Sequence, residues 1–256
     1  MCRPLRWLPL GVVLGWSTAA LAANEAIPAP LRCLQRYYGL AFELVDGRPF
    51  VVLPDGTRLP YDDGRVKSFE ERLNAPDVED MFSIPYRRGP VRPVTTPDED
   101  PGRIRLEPMF AAIYGKTPAE VDLVPVRLVG QLLRVHRKAA PAFRRVDERL
   151  KRLLAERPAL RPFLTGLGGT FSWRKIAGTG RQSAHSYGVS LDINVRRAHY
   201  WRWQRPPKPL RWQNQVPQEI VDVFEAEGFI WGGRWYHYDT MHFEYRPELL
   251  DPTCYP

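Results

Sequence analysis

The sequence predicts an α+β fold in which a small antiparallel sheet, flanked by helices, carries a polar cleft. Three patterns favour this class: turn signals between strand-like segments in residues 38–63, a helical apolar spacing in residues 142–156, and alternation of polar and apolar residues after residue 183. The chain has 256 residues, of which 44% are hydrophobic and 26% charged, a composition typical of a globular protein. We therefore expect one large domain, or a domain with an appended subdomain.

Residues 1–22 have the layout of a secretory signal peptide. Arg3 and Arg6 precede an apolar stretch at residues 8–16, and small residues follow up to Ala20-Leu21-Ala22. The apolar stretch is shorter than the roughly 20 residues that span a bilayer, although a membrane anchor is the alternative. We expect cleavage after Ala22, export to the periplasm or cell surface, and no stable membrane span in the mature protein.

The formal net charge is +8, and loss of Arg3 and Arg6 with the signal peptide would lower it to +6. A moderately basic exported protein suits a polyanionic environment such as a bacterial envelope, although a charge that serves only solubility is the alternative. Lysine and arginine are dispersed along the chain, so we expect no nucleic-acid partner.

Two cysteines remain after cleavage, Cys33 and Cys254, and they lie near the two ends of the mature chain. An oxidising compartment permits a disulfide between them, which would join the N-terminus to the C-terminus. Two free buried cysteines are the alternative.

Residues 23–115 are predicted to form an N-terminal β-meander with an irregular extension. Asp46-Gly47 and Asp55-Gly56 are hairpin-turn signals. They separate three strand-like segments, at residues 42–45, 50–53 and 59–61. A short helix is expected around residues 68–73. Residues 84–108 are rich in Pro, Arg and Asp, which indicates a wrapping loop or linker without a chemical motif.

Residues 116–256 are predicted to form the main domain, which begins with two scaffold helices. Thr117-Pro118-Ala119-Glu120 places Thr at the N-cap, Pro at the first helical position and Glu at the third. The first helix is therefore expected to run through about Lys138. The second is expected at residues 142–156, where apolar residues recur at spacings of three and four with Arg, Lys and Glu between them.

Residues 183–194 contain a histidine and an aspartate seven residues apart, His185 and Asp192. The second half of this segment alternates as a strand does. The apolar residues expected to face the core are Val189, Leu191, Ile193 and Val195. Asp192 is therefore expected on the opposite, polar face, and Gly188 permits a bend that brings His185 to the same place.

Residues 232–245 are the second such segment, and they end in strand-like alternation with another histidine. The residues expected on its apolar face are Met241, Phe243 and Tyr245. His242 and Glu244 occupy the other face. Asp239 lies three residues before His242, so a regular strand would point the two side chains to opposite faces. Asp239 can approach the His242 side chain only from a turn before the strand.

The polar faces of the two strands would together supply two histidines and an aspartate, the composition of a catalytic zinc site. Three protein ligands leave one tetrahedral position for water, and hydrolysis then needs a carboxylate that is not a ligand. Asp239 suits that role, and Glu244 can hold a ligand imidazole or meet a substrate amine. A single His or Asp at a strand end is usually a hydrogen-bonding surface residue, so the coincidence of both segments favours the metal site.

These residues stand in a longer pattern. It runs from Phe171-Ser172-Trp173-Arg174 through Ser-x-His-x6-Asp at 183–192 to Trp-Gly-Gly at 231–233 and Asp-x-x-His-Phe-Glu at 239–244. The pattern resembles the zinc peptidases of bacterial cell-wall peptides, which include D-alanyl-D-alanine carboxypeptidases, D-Ala-D-Ala dipeptidases and the L-alanyl-D-glutamate endopeptidases of phage endolysins. The resemblance covers about residues 165–250 and implies the hedgehog/DD-peptidase fold that this family shares with the hedgehog signalling domain.

The resemblance implies roles for individual residues. The positions that match the family's zinc ligands are His185, Asp192 and His242. Asp239 matches the general base. Arg174 matches an arginine that contacts substrate and stabilises the developing oxyanion, although Arg181 is closer in sequence and could compete for this role. Three further residues are expected beside the ligands or the substrate: Ser183, Glu244 and Trp235.

The sequence thus predicts an exported zinc metallopeptidase that hydrolyses an amide bond in the peptidoglycan stem peptide, of the L-Ala-D-Glu endopeptidase or D-Ala-D-Ala carboxypeptidase type. Many carboxypeptidase and dipeptidase members have Glu as the base, so Asp239 points to the L-Ala-D-Glu type. A non-catalytic, zinc-containing module that binds cell wall or a protein is the alternative. His199 and His237 match nothing in the family, and we expect His237 to be solvated or packed rather than a cleft residue.

Overall fold

The structure is a computed structural model that describes residues 27–204 and 209–255, so the predicted signal peptide lies outside the described residues. Within them, α-helices and three small antiparallel sheets are joined by irregular segments and 3₁₀ turns. The helices are α1 Ala29–Tyr38, α2 Phe69–Asn74, α3 Glu107–Tyr114, α4 Ala140–Glu156, α5 Arg161–Leu164, α6 Gln218–Ala226 and α7 Pro247–Leu250. The strands are β1 Ala41–Val45, β2 Arg48–Val52, β3 Arg58–Pro60, β4 Leu123–Leu128, β5 Gln131–His136, β6 Ser190–Asp192, β7 Phe229–Trp231 and β8 His242–Tyr245.

The predicted β-meander is present, with the strand order β1-β2-β3. Asp46-Gly47 forms the two-residue loop between β1 and β2, and both residues have the positive φ that such loops require. The predicted short helix is α2. It begins after Ser68, whose hydroxyl accepts a hydrogen bond from the Glu71 amide while the Glu71 carboxylate accepts one from the Ser68 amide. Both predictions are confirmed.

The prediction of a helix from Thr117 through about Lys138 is wrong, because residues 123–136 form a β-hairpin. Thr117 and Glu120 instead close a turn, with 3.1 Å between Thr117 Oγ1 and Glu120 Oε1. Buried and exposed residues then alternate along the second half of β4 and along β5, and β4 packs against α4. Thr, Pro and Glu serve a helix N-terminus and a turn equally well, which explains the error.

The second predicted helix is confirmed as α4. Its buried face has the expected spacing and includes Phe143, Val146, Leu150 and Leu154. α4 packs against both β4 and α6. The Phe224 ring of α6 in turn stacks on the Phe243 ring of β8, with 4.0 Å between ring centroids. The helices thus cover the apolar face of the C-terminal sheet.

The C-terminal sheet has the order β6-β8-β7, and its neighbouring strands are antiparallel. Asp192 is the register partner of His242, so the two polar side chains lie side by side on one face. Leu191 and Phe243 pair on the other face and are fully buried. Val195 departs from the predicted alternation: β6 ends at Asp192, a 3₁₀ turn follows, and Val195 is 37% exposed.

One cluster of buried apolar side chains extends from α1 to β8, on both sides of the predicted boundary at residue 115. Cys33 of α1 and Cys254 form a disulfide. The helices and the three small antiparallel sheets confirm the predicted α+β class. In the part of the chain that the structure describes, no helix combines the length and the apolar character needed to cross a membrane.

The turn between β4 and β5 provides a test of the hairpin that replaces the predicted helix. Gly130 has a φ of 87°, and a Cβ built there meets no atom within 4 Å. We predict that Gly130→Ala lowers the free energy of unfolding by about 1–2 kcal/mol, because only backbone strain opposes it. Gly180→Ala is the control, since its Cβ also meets open space but its φ is not positive. Equal stability of both variants in urea unfolding would contradict the hairpin.

Candidate metal centre

His185 lies on a 3₁₀ turn, Ala184–Tyr187, immediately before β6. The Ser183 hydroxyl accepts a hydrogen bond from the His185 amide at 3.3 Å, which fixes the start of this turn. Gly188 ends the turn with a φ of 66°, and a Cβ there would meet atoms of the β4–β5 hairpin at 2.7 and 3.0 Å. Glycine therefore lets the chain reverse tightly into β6, which brings the His185 ring beside Asp192.

His185, Asp192 and His242 present three atoms, here called the donor triangle, to one point. His185 Nε2 lies 3.2 Å from both Asp192 Oδ1 and His242 Nδ1. The third side, from His242 Nδ1 to Asp192 Oδ1, is 3.0 Å. A tetrahedral zinc ion with ligand distances of about 2.0–2.1 Å requires about 3.3 Å between ligand atoms. The donor triangle is close to that requirement and fits a zinc ion.

The second nitrogen of each imidazole faces an acceptor, which directs the lone pair of the other nitrogen into the donor triangle. His185 Nδ1 donates to the Thr170 carbonyl oxygen at 3.1 Å. His242 Nε2 faces Glu244 Oε2 at 3.5 Å. Carbonyl and carboxylate groups in these positions orient metal-binding histidines and raise their basicity. Of the two roles suggested for Glu244, the structure places it beside the imidazole.

The carboxylates around the donor triangle favour a bound cation. Burial disfavours the charged imidazole of His242, but its hydrogen bonds with Asp192 and Glu244 outweigh burial and raise the pKa of His242 to about 10. Burial also opposes the charge of Asp192, yet His185 and His242 hold the pKa of this carboxyl well below its usual range. Because a metal ion competes with protons for the same atoms, a position that attracts a proton this strongly also suits a metal.

Two other clusters of acidic or thiol side chains in residues 27–204 and 209–255 are compact enough to hold a metal. In one, Cys33 and Cys254 are joined in the disulfide. In the other, the Lys67 ammonium lies 2.8 Å from Asp63 Oδ2 and 2.9 Å from Asp77 Oδ2. The disulfide thus occupies both thiols of the first cluster, and Lys67 occupies two of the three carboxylates of the second. The donor triangle is the remaining candidate in the described ranges.

Asp239 lies in the turn before β8, where its parity predicted it, and does not belong to the donor triangle. Its amide donates to the Gly232 carbonyl at 2.9 Å, and its carbonyl accepts from the His242 amide at 3.2 Å. Its Oδ1 is buried and has no hydrogen-bond partner among the described residues. Burial raises the pKa of Asp239 to about 7 with help from Asp192, although His242 and two arginines oppose the shift. Such a carboxyl suits proton transfer near neutral pH.

A cavity of about 280 Å³ adjoins the donor triangle. The predicted site residues that line it are His185, Asp192, His242, Asp239, Arg174, Ser183, Glu244 and Trp235. Trp235 donates from its indole nitrogen to the Pro101 carbonyl at 2.7 Å, and its ring lies 5.8 Å from that of His242. Arg181 lines the same cavity as Arg174, so the structure brings both competing arginines to the site.

Residues 99–105, here called the strap, reach the site although the sequence indicated only a loop or linker there. Arg103 lines the cavity and pairs with Asp100, with 2.6 Å between Nη1 and Oδ2. Arg105 lines it too, and its Nη1 lies 2.9 Å from Glu244 Oε2. Between them, Ile104 is 2% exposed. The Arg-Ile-Arg alternation at residues 103–105 is the sequence signal that could have indicated this arrangement.

His237 is packed, as expected, but it also lines the cavity, so the expectation that it is not a cleft residue is wrong. Its Nδ1 lies 2.7 Å from Asp100 Oδ2, and its ring is parallel to the Phe69 ring at 6.4 Å. His199 is not among the residues that line the cavity, and its Nε2 lies 2.9 Å from Gln215 Nε2.

Residues 177–245 match the family model described as D-alanyl-D-alanine carboxypeptidase. The match includes the donor triangle and Asp239 and ends with β8, whereas Arg174 lies just before it. It confirms the resemblance to the zinc DD-peptidases and supports a peptidase. No curated protein and no solved structure matched the chain.

The burial of Asp239 leads to a prediction about stability. The folded protein holds the Asp239 proton more tightly than the unfolded chain does, so this group's contribution to stability is present below pH about 4 and is lost as the pH rises through about 7. Asparagine cannot ionise, so we predict that metal-free Asp239→Asn is more stable than metal-free wild type at pH 8. The advantage should shrink steadily toward pH 4 in urea unfolding with chelator. A difference that does not vary with pH would contradict it.

Proposed function

We propose that this chain is a zinc-dependent peptidase with the hedgehog/DD-peptidase fold, which hydrolyses an amide bond in the peptidoglycan stem peptide. One observation carries the proposal: the donor triangle and a separate buried carboxylate, Asp239, adjoin the same arginine-lined cavity. A purely structural metal site needs only the ligands. A further carboxylate with a pKa near neutrality is what amide hydrolysis requires.

The atoms that would hold the zinc ion are His185 Nε2, Asp192 Oδ1 and His242 Nδ1. Three protein ligands with an open fourth position are typical of catalytic zinc sites, whereas structural sites have four protein ligands. When bound, zinc supplies Lewis acidity toward the scissile carbonyl and toward water. Thr170 and Glu244 keep the two imidazoles in tautomers whose free nitrogens face the donor triangle.

Asp239 is proposed to take a proton from the attacking water at Oδ1 and to deliver it to the leaving amine nitrogen. Water oxygen then bonds to the carbonyl carbon, the C–N bond breaks, and the amine departs with the transferred proton. The Oδ1 atom has no partner in the described chain that would compete for this proton. A pKa of about 7 leaves the carboxylate partly ionised at neutral pH, so the base form and its conjugate acid are both accessible.

Arg174 is proposed to hold the substrate carbonyl or a substrate carboxylate. Its side chain lines the cavity, and its backbone is fixed by a hydrogen bond from its amide to Ser186 Oγ at 2.9 Å. A positioned guanidinium stabilises negative charge that develops on oxygen, and it binds carboxylates in a planar, bidentate manner.

The cleaved bond is proposed to be of the L-Ala-D-Glu or D-Ala-D-Ala type. The family match supports a cell-wall peptide as substrate. Asp rather than Glu at position 239 favours the L-Ala-D-Glu type. Both bonds have a carboxylate close to the scissile amide, which suits the cationic lining of the cavity.

Export to the periplasm or cell surface is part of the proposal. Residues 1–22 have the signal-peptide pattern. The disulfide between Cys33 and Cys254 also suits an oxidising compartment. The stem peptide is accessible to an enzyme in either location.

The separation of base from ligands can be tested with two variants. We predict that Asp239→Ala retains zinc but loses about 10²- to 10⁴-fold in kcat, because it removes only the proton acceptor. His185→Ala is expected to lose both zinc and activity, because it removes a ligand. Elemental analysis measures the zinc, and mass spectrometry of defined stem peptides, with and without chelator, measures the products.

Asp222→Ala is a matched control, since Asp222 is an exposed carboxylate on α6 and its loss changes the charge equally. Full hydrolysis by Asp239→Ala would contradict the mechanism. Chelator-sensitive binding of stem peptide by the wild type without any product would favour the non-catalytic alternative.

A further inference from the structure

The hairpin at residues 174–183 presents one face to the cavity. Lys175 and Gln182 are bridge partners, and backbone hydrogen bonds of 3.0 and 2.9 Å extend the pairing to both sides of them. Because side chains alternate along a strand, the residues next to Lys175 and Gln182 point to the face opposite to that of these two residues. The hairpin residues that line the cavity are Arg174, Ile176, Ala177, Arg181 and Ser183. The two arginines are therefore diagonal neighbours, with Cα atoms about 7–8 Å apart.

Arg174 and Arg181 lack the ionic partners that the other cavity arginines have. Each strap arginine in the cavity is paired with an acidic side chain. Among residues 27–204 and 209–255, neither Arg174 nor Arg181 forms an ion pair. Glu107 is the acidic group facing Arg181, but its Oε1 accepts from the Gln182 amide at 2.5 Å. Two guanidinium groups without an ion-pair partner among these residues thus face the cavity.

Arg181 lies in a strongly cationic environment. Its Nε is buried and has no hydrogen-bond partner in the described chain. Burial and the charges of the strap arginines lower the pKa of Arg181 to about 10. A bound carboxylate would pair with the Arg181 guanidinium and reduce this repulsion.

We propose that Arg174 and Arg181 together bind a substrate with two carboxylates near the scissile amide, one at each guanidinium. The inference rests on the proposed function and specifies its substrate class: an acidic peptide with two free carboxylates on the same or on adjacent residues. Each planar guanidinium can bind one carboxylate through two parallel hydrogen bonds. The two arginines therefore have complementary roles, and Arg181 determines specificity.

The experiment begins with zinc-loaded, wild-type protein and the complete stem peptide, and the product masses identify the cleaved bond. Two analogues are then made in which one or the other of the two carboxylates nearest that bond is converted to a carboxamide. We expect kcat/KM to fall about 10- to 100-fold for each analogue, because each loses a charge-assisted pair with one arginine.

An arginine variant shows which substrate carboxylate binds to which guanidinium. Arg181→Gln is expected to lower kcat/KM about 10- to 100-fold on the free peptide, to retain zinc, and to show no further loss on the analogue that lacks its carboxylate. Lys175→Gln is the matched control, because it removes the same charge from an exposed position on the opposite face of the same hairpin. It should behave as wild type on every peptide.

Equal kcat/KM of the wild type for free and amidated peptides would overturn the inference, and this measurement does not depend on any variant folding. Equal losses in Arg181→Gln and Lys175→Gln would also overturn it, because a general charge effect would then explain the data. Failure of the zinc-loaded wild type to cleave any stem peptide would overturn the proposed function itself, so the two failures are distinguishable.

Discussion

The register of one strand pair, Asp192 opposite His242, is the constraint on which the site depends. Paired residues in an antiparallel ladder share a face, so this register places a carboxylate and an imidazole side by side. A one-residue slip of either strand would turn its own metal ligand into the core that Leu191 and Phe243 now fill. The apolar face therefore holds the register, and the metal ligands on the polar face are positioned as a consequence.

A chain of buried charges joins this strand pair to the N-terminal helix. Glu244 contacts His242 on one side, and its Oε1 lies 3.4 Å from Arg246 Nη1 on the other. Arg246 is fully buried, and its Nε lies 2.5 Å from Glu248 Oε1. The Tyr38 hydroxyl of α1 donates a hydrogen bond to the other oxygen of the Glu248 carboxylate. Removing one partner of a buried ion pair costs about 3–5 kcal/mol. The network therefore holds α1 and α7 in a fixed relation to the imidazole of His242.

The N-terminal region also supplies one wall of the cavity, although the family match begins only at residue 177. The strap is held by backbone hydrogen bonds, since the Trp235 indole donates to the Pro101 carbonyl and the Tyr236 amide donates to the Glu99 carbonyl. Its arginines then reach the site from this fixed backbone. The donor triangle and Asp239 lie within the matched region, whereas Arg103 and Arg105 of the cavity lining come from the N-terminal extension.

By itself, the sequence determined the features that depend on short-range signals: the Asp46-Gly47 hairpin, the capped helix after Ser68, and the alternation that puts Asp192 and His242 on polar faces. It also determined that Asp239 precedes its strand in a turn. It misled at residues 117–138, where one local pattern suits both a helix and a turn and packing against α4 decides. Only the tertiary structure brought the strap and the cavity face of the 174–183 hairpin to the metal ligands. Contacts between segments far apart in the chain depend on how the whole core packs, and no local pattern encodes them.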